Sequence, residues 1–272
     1  MNKKVLIIAG IISIMLIAGI VLAVQGRRGG SDAGQREEAL SAQVLVNQAK
    51  DLQARGDLSG AKAVYQKLVN DFSNSGEVMN WQQRIEAINI RLLFSPALTT
   101  KSVLYEIKSG DTLSKIAHKY KTTADLIRKS NNLSGDVIVP GRKIKVWNAP
   151  FAILVDKSLN ILILKSDEEI IKTYVVATGK DNSTPVGTFK ITSKLVNPTW
   201  FKAGAVVPAG SPGNILGTRW MGLDKPSYGI HGTTDPQSLG KQATQGCVRM
   251  ANSEVEELYA IVPLGTEVVI VD

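Results

Sequence analysis

Cys247 is the only cysteine in a chain of 272 residues, and it stands in Ala243-Thr244-Gln245-Gly246-Cys247-Val248-Arg249-Met250. A lone cysteine is most often a small buried core residue. Three features of the sequence point elsewhere. Gly246 precedes it and gives the backbone room to approach a ligand. Arg249 follows two residues on and can place positive charge nearby. His231, one of only two histidines, lies upstream in Tyr228-Gly229-Ile230-His231-Gly232-Thr233-Thr234. The other, His118, falls on a helical segment that reads as surface. A free thiol with a pKa of about 8.5 is only slightly ionised near neutral pH, so a cysteine nucleophile needs help to lose its proton. An imidazole can take that proton and later return it to a leaving amine. The amides of Gly246 and Cys247 can point at a developing oxyanion. Residue types and spacing therefore suggest acyl transfer, with Cys247 attacking and His231 as base. One cysteine and two histidines in separate parts of the chain make no metal-ligand set. No phosphate-cradling glycine loop is present either. We expect no metal, no cofactor and no nucleic-acid partner.

The segments that must hold this pair read as a mostly-β domain over residues 149–272. Ala152 to Val155, Ile161 to Leu164 and Ile170 to Ala177 are strands rich in Ile, Leu and Val, with turns between them. Gly187 to Ser193 and Thr266 to Val271 add further strands. One helix is expected from Ser253 to about Ile261. Ser253 and Glu256 are spaced for a capping box, and Val255, Leu258, Tyr259 and Val262 form the buried face. Residues 102–147 read as a strand, two helices and a strand, a small α+β module. Thr122 and Thr123 can cap its second helix. Before it, residues 36–94 carry three helical stripes: Leu45, Ala49 and Leu52; then Leu58, Ala61, Tyr65, Leu68 and Phe72; then Val78, Trp81, Ile85, Ile88 and Leu92. Gly56-Asp57 and Ser73 to Gly76 separate them.

The N-terminus is of another kind. Val5 to Val24 is a run of twenty residues without a charge, long enough for a hydrocarbon core about 30 Å thick. It predicts an uncleaved transmembrane anchor within residues 1–25, with residues 26–35 as a flexible linker. Charges on both sides of the run do not orient it. The chain holds 32 Lys and Arg against 24 Asp and Glu, a net +8. Residues 105–147 alone hold nine basic and four acidic residues, which is +5. Such an excess is read first as a solvated surface, and it also suits an anionic partner.

Three stretches resemble known families. Ala49 to Leu68 is similar, loosely, to one tetratricopeptide-type hairpin, which reads either as a stalk or as a platform for a protein partner. Tyr105-Glu106-Ile107-Lys108-Ser109-Gly110-Asp111-Thr112-Leu113, Asn131-Asn132-Leu133 and Val139-Pro140-Gly141-Arg142-Lys143-Ile144 resemble a complete LysM domain. That resemblance implies binding of glycans containing N-acetylglucosamine, in a groove near Gly110, Asp111, Thr112, Asn131 and Val139. Residues 150–272 resemble the YkuD-type catalytic domain of L,D-transpeptidases in five ordered blocks: Ser183 to Ile191, Asn197 to Trp200, Leu216 to Leu223, Gly229 to Thr233 and Gly246 to Asn252.

The third resemblance implies a fold and a reaction. The fold is sandwich-like, with Cys247 and His231 in a cleft. Cys247 would cleave the terminal D-alanine from a wall stem tetrapeptide and pass the acyl group to an amine, forming a cross-link. With water as acceptor the same site would be a carboxypeptidase or endopeptidase; without turnover the chain would be a wall-binding scaffold. Arg249 would shape the site or meet a substrate carboxylate. Many members carry histidine where this chain has Gln245, and glutamine does not titrate near neutral pH. The residue after His231 is Gly232, so a backbone carbonyl is the expected partner of the imidazole. Peptidoglycan strands and stem peptides as partners imply an extracytoplasmic location, with the chain fixed to the cytoplasmic membrane by its N-terminus.

Overall fold

The computed structural model describes residues 32–202 and 204–272. The anchor expected within residues 1–25 lies outside the described residues. Among the described residues no helix is long and apolar enough to cross a membrane.

The chain forms two compact units that divide after Leu92. The first holds helices α1 (Asp32–Ala54) and α2 (Leu58–Asp71) and most of α3 (Val78–Leu93). The expected linker to residue 35 is shorter than the sequence suggested, because helical backbone begins at Asp32. The three apolar stripes meet in one core that includes Ala49, Ala61, Tyr65, Leu68, Trp81, Ile85 and Ile88. Phe72 packs edge-on against Trp81, with ring centroids 6.3 Å apart. The break between α1 and α2 is a local device: Gly56 takes φ +80°, and the Asp57 carboxylate accepts the Gly60 amide at 2.8 Å. Such a cap contributes about 1 kcal/mol.

The second unit begins with the α+β module. Strands β1 (Ser102–Glu106) and β2 (Lys143–Trp147) pair antiparallel, Ser102 opposite Trp147. Between them lie α4 (Leu113–Tyr120) and α5 (Ala124–Ser130), capped by Thr112 and Thr123 through their hydroxyls. Ile107, Leu113, Ile116, Ile127, Ile144 and Val146 fill the interior.

The rest is built on an eight-stranded mixed sheet. Its strands are β3 (Phe151–Asp156), β4 (Ile161–Ser166), β5 (Glu169–Val175), β7 (Gly187–Val196), β10 (Arg219–Leu223), β11 (Gly229–His231), β13 (Val248–Arg249) and β14 (Glu267–Val271). Their spatial order is β13-β11-β10-β7-β14-β3-β4-β5. Two pairs are parallel, β14 with β3 and β11 with β13. Short ladders join β6 (Thr178–Gly179) to β12 (Gln242–Thr244), and β8 (Trp200–Lys202) to β9 (Ala205–Val207). Helix α6 (Asn252–Ile261) packs on β10 and β11 and buries Val255, Leu258, Ala260 and Ile261.

The expected capping box of α6 does not form. The helix starts one residue earlier than Ser253, Ala251 occupies the cap position without a side-chain hydrogen bond, and Glu256 faces Arg219 at 3.6 Å instead. The displaced start hands Asn252 to the loops beside it.

The module and the sheet domain are joined along a packed seam. Trp147 stacks on Phe151 at 5.7 Å, and its indole N–H donates to Ser166 Oγ at 3.3 Å. Lys101 Nζ lies 3.0 Å from Glu169 and also donates to the Ser166 carbonyl. At the other end, the Thr123 hydroxyl donates to the Ala260 carbonyl, linking the cap of α5 to the last turn of α6.

Candidate active site

The parallel pairing of β11 with β13 brings the two chemical residues together. Ile230 stands opposite Val248, and His231 opposite Arg249. One step back, Cys247 therefore falls beside Gly229. The Gly229 amide hydrogen-bonds the thiol, which places Cys247, one residue before β13, against the strand that carries His231.

His231 is buried, 2 % exposed, and its ring is held on three sides. Trp220, its antiparallel neighbour on β10, stacks against it at 5.8 Å with planes 21° apart. Nδ1 lies 2.7 Å from the Gly232 carbonyl. A carbonyl can only accept, so in the neutral ring Nδ1 carries the proton and Nε2 keeps its lone pair. The Leu216 carbonyl also lies near the ring and favours its cation. Burial pushes the pKa down to about 4; the two carbonyls oppose that shift and the Arg249 charge adds to it. The imidazole is neutral at pH 7, as a general base must be.

Cys247 is half-buried, and its Sγ is 3.6 Å from the Ser227 carbonyl. Burial raises the thiol's pKa, while the Gly229 amide and the Arg249 charge pull it down. The resting pair is thus thiol and neutral imidazole, with no standing ion pair. A direct consequence is testable because the chain has a single cysteine. Alkylation by iodoacetamide should be slower at pH 7 than for free cysteine and should keep rising past pH 9. A rate plateau reached near pH 6 would mean a preformed thiolate.

The approach to Cys247 is shaped by backbone that admits no side chains. Gly246 has φ +123°, and a Cβ there would lie 2.7 Å from the Tyr228 ring. A Cβ on Gly179 would lie 2.9 Å from Gly246 Cα and closer still to Ser183 Oγ. Thr244 ties the turn: its Oγ1 donates to the Cys247 carbonyl at 2.6 Å and accepts the Gly246 amide at 3.1 Å. This corrects the expectation that Gly246 offers its amide to an oxyanion. That donor is already engaged, and Gly246 serves the site by its shape.

The other expected residues divide. Arg249 is buried; its Nη1 is 2.9 Å from Ser238 Oγ and 3.7 Å from Asp235, and its Nε has no hydrogen-bond partner among the described residues. Its main chain bridges to Ala177. Gln245 is exposed. Gly232 supplies the carbonyl on Nδ1, as its place after His231 suggested. His118 is exposed on α4.

In the α+β module, Gly110 makes its turn at φ +82° and Thr112 caps α4. Asp111 accepts the Tyr105 hydroxyl and the Lys108 amide, both at 2.8 Å, and these bonds hold its carboxyl below the usual range. Val139 is 62 % exposed and available to a ligand. The Asn131 amide donates to the Ile127 and Lys145 carbonyls at 2.8 Å and accepts the Lys145 amide at 2.7 Å, standing in for a strand partner of β2. These bonds give Asn131 a framework role, while its Oδ1 keeps a second lone pair.

Three residues with evident site roles carried no role in the sequence reading: Trp220, Thr244 and Asn252. Trp220 and Asn252 lie inside the blocks quoted for the resemblance, yet the contacts that define them run between distant segments.

Comparison with known proteins bears on the whole arrangement. The family profile of the L,D-transpeptidase catalytic domain matches residues 150–270, and that of the LysM domain matches residues 105–147. YkuD of Bacillus subtilis (strain 168), which carries an L,D-transpeptidase name, is 36 % identical over 174 residues, 61 % of this chain and 97 % of that protein. YqjB of the same organism, with a name of the same kind, is 43 % identical over 126 residues, 44 % of this chain and 70 % of that protein.

Proposed function

Since the chain belongs to the YkuD family of L,D-transpeptidases and carries a LysM domain, we propose that it cross-links peptidoglycan by acyl transfer through Cys247. The observation that carries this reading is the imidazole of His231. It is neutral, locked with Nδ1 on a carbonyl, and carried by the strand whose Gly229 amide meets the thiol of the only cysteine.

The steps follow from that geometry. Cys247 Sγ attacks the carbonyl that joins the diamino acid of a stem tetrapeptide to its terminal D-alanine. The thiol proton passes to Nε2 of His231 as the S–C bond forms. The new imidazolium is stabilised by the Gly232 and Leu216 carbonyls. The Cys247 amide faces the oxyanion, with the Gly246 amide held back by Thr244. Collapse breaks the C–N bond, and the proton on Nε2 leaves with the amine of D-alanine. A thioester remains. The amine of a second stem then attacks it, gives its proton to Nε2, and the thiol is restored. Arg249 places its charge where it favours thiolate and disfavours imidazolium, so its two effects on the proton transfer oppose each other.

The LysM domain would hold the enzyme on glycan strands, with Val139 and the turn at Gly110 to Thr112 offering the accessible surface. We also place the chain outside the cytoplasmic membrane, tethered by the charge-free run of residues 5–24; the basis is the sequence and the location of the substrate. The helical unit would serve as a stalk or a partner platform.

The test is product analysis with a defined stem tetrapeptide, with and without an acceptor amine. Release of D-alanine that depends on the amine, together with a dimeric product, is the expected result. Release at the same rate into water alone would make the chain a hydrolase.

A further inference from the structure

Asn252 is half-buried at the first position of α6 and points its amide away from its own helix. Its Oδ1 accepts the Thr218 amide at 3.2 Å and the Thr233 amide at 3.0 Å. Its Nδ2 donates to the Thr233 carbonyl at 2.8 Å. One side chain thus joins two loops that are otherwise unrelated in sequence. The loop before β10 carries the Leu216 carbonyl, which lies near the His231 ring, and the loop after β11 carries the Gly232 carbonyl, which meets Nδ1.

The backbone has been cleared for this amide. A Cβ on Gly217 or on Gly232 would each stand 2.2 Å from Asn252 Oδ1. Gly217 also has φ +66°, whereas Gly232 is not in the left-handed region. Only the space taken by the Asn252 amide and its loops forbids a side chain at residue 232.

We infer that Asn252 is a positioning residue for catalysis: it holds the loop whose Gly232 carbonyl fixes the His231 tautomer and stabilises its cation. This rests on the acyl-transfer reading of the same site. Asn252 touches neither thiol nor imidazole and acts through the two loops. A ring left to itself favours the opposite tautomer, which would put a proton on the nitrogen that must accept one.

The experiment uses the full chain with 15N-labelled histidine, in which only two rings are observed and His118→Gln assigns them. Wild type should show His231 as the Nδ1–H tautomer. Asn252→Ala should shift it toward the Nε2–H form. First-order acylation of Cys247 should slow about 10²-fold, the scale of a displaced catalytic group, with KM changed less than about 3-fold. Asn252→Asp retains both accepted amide bonds and should fall between. Gly232→Ala guards against a folding defect in Asn252→Ala. Alone it drives a methyl into the amide and should lower the rate strongly; combined with Asn252→Ala it should cost less than the product of the single losses. Unchanged tautomer and rate in Asn252→Ala would overturn the inference, as would fully multiplicative losses in the double variant. The tautomer is read without turnover, so a failure of wild type to acylate would count against the acyl-transfer reading and leave the test of Asn252 standing.

Discussion

Cys247→Ala should abolish acyl-enzyme formation while leaving the fold and glycan binding in place. The variant removes the nucleophile and leaves a small side chain at a half-buried turn, where the Thr244 bonds run to backbone and do not need the sulfur. Loss of a nucleophile that works as a unit with its base typically costs on the order of 10⁴-fold or more in turnover. Mass spectrometry of the intact chain after exposure to a carbapenem, a reactive acylating analogue, gives the readout. Wild type should gain one adduct and the variant none. Binding to purified wall should match wild type, since the LysM surface is separate from the thiol. An adduct retained on the alanine variant would remove Cys247 from the mechanism.

His231→Gln should act on two properties at once. Acylation should slow by about 10² to 10⁴-fold, the usual contribution of a general base. Stability should change in a pH window set by the same residue. In the folded chain burial holds His231 neutral down to about pH 4, whereas the unfolded ring takes a proton near 6.5. Between those values the unfolded state binds more protons, so wild-type stability should fall as pH falls from 6.5 to 4. At about 1.4 kcal/mol per pH unit, the loss from this one ring approaches roughly 3 kcal/mol at the acid end. Glutamine does not titrate, so the variant's stability should be much flatter across that window. Urea unfolding at pH 7, 5.5 and 4.5 measures the difference. Parallel curves for the two proteins would show that the ring is not buried as described.

Much of this site could be read from the chain itself, for identifiable reasons. Cys247 and His231 are scarce residue types flanked by glycines, and scarcity makes spacing informative. The helical stripes and the β3, β4 and β14 strands were visible because their cores repeat at 3.6 or 2 residues. Strands β10 and β11 were missed: each is short and carries glycine, and their pairing depends on partners far along the chain. The framework role of Asn131 was not legible because a side-chain amide that replaces a strand bond looks the same in sequence as one that meets a ligand. The absent capping box has a related cause. Ser253 and Glu256 have the right spacing, yet Asn252 is already committed to the loops around His231, and that commitment moves the helix start.

The seam between the LysM domain and the catalytic sheet carries a further consequence. A flexible tether would raise the local concentration of stem peptides without choosing among them. Here Trp147 against Phe151, Lys101 on Glu169 and Thr123 on Ala260 fasten the two domains at both ends. A glycan seated on the first domain then lies at a set distance and heading from the thiol in the second. On the proposed reading, the protein would act as a gauge laid along the strand, in which the sugar bound by the first domain would dictate which neighbouring peptide comes within reach.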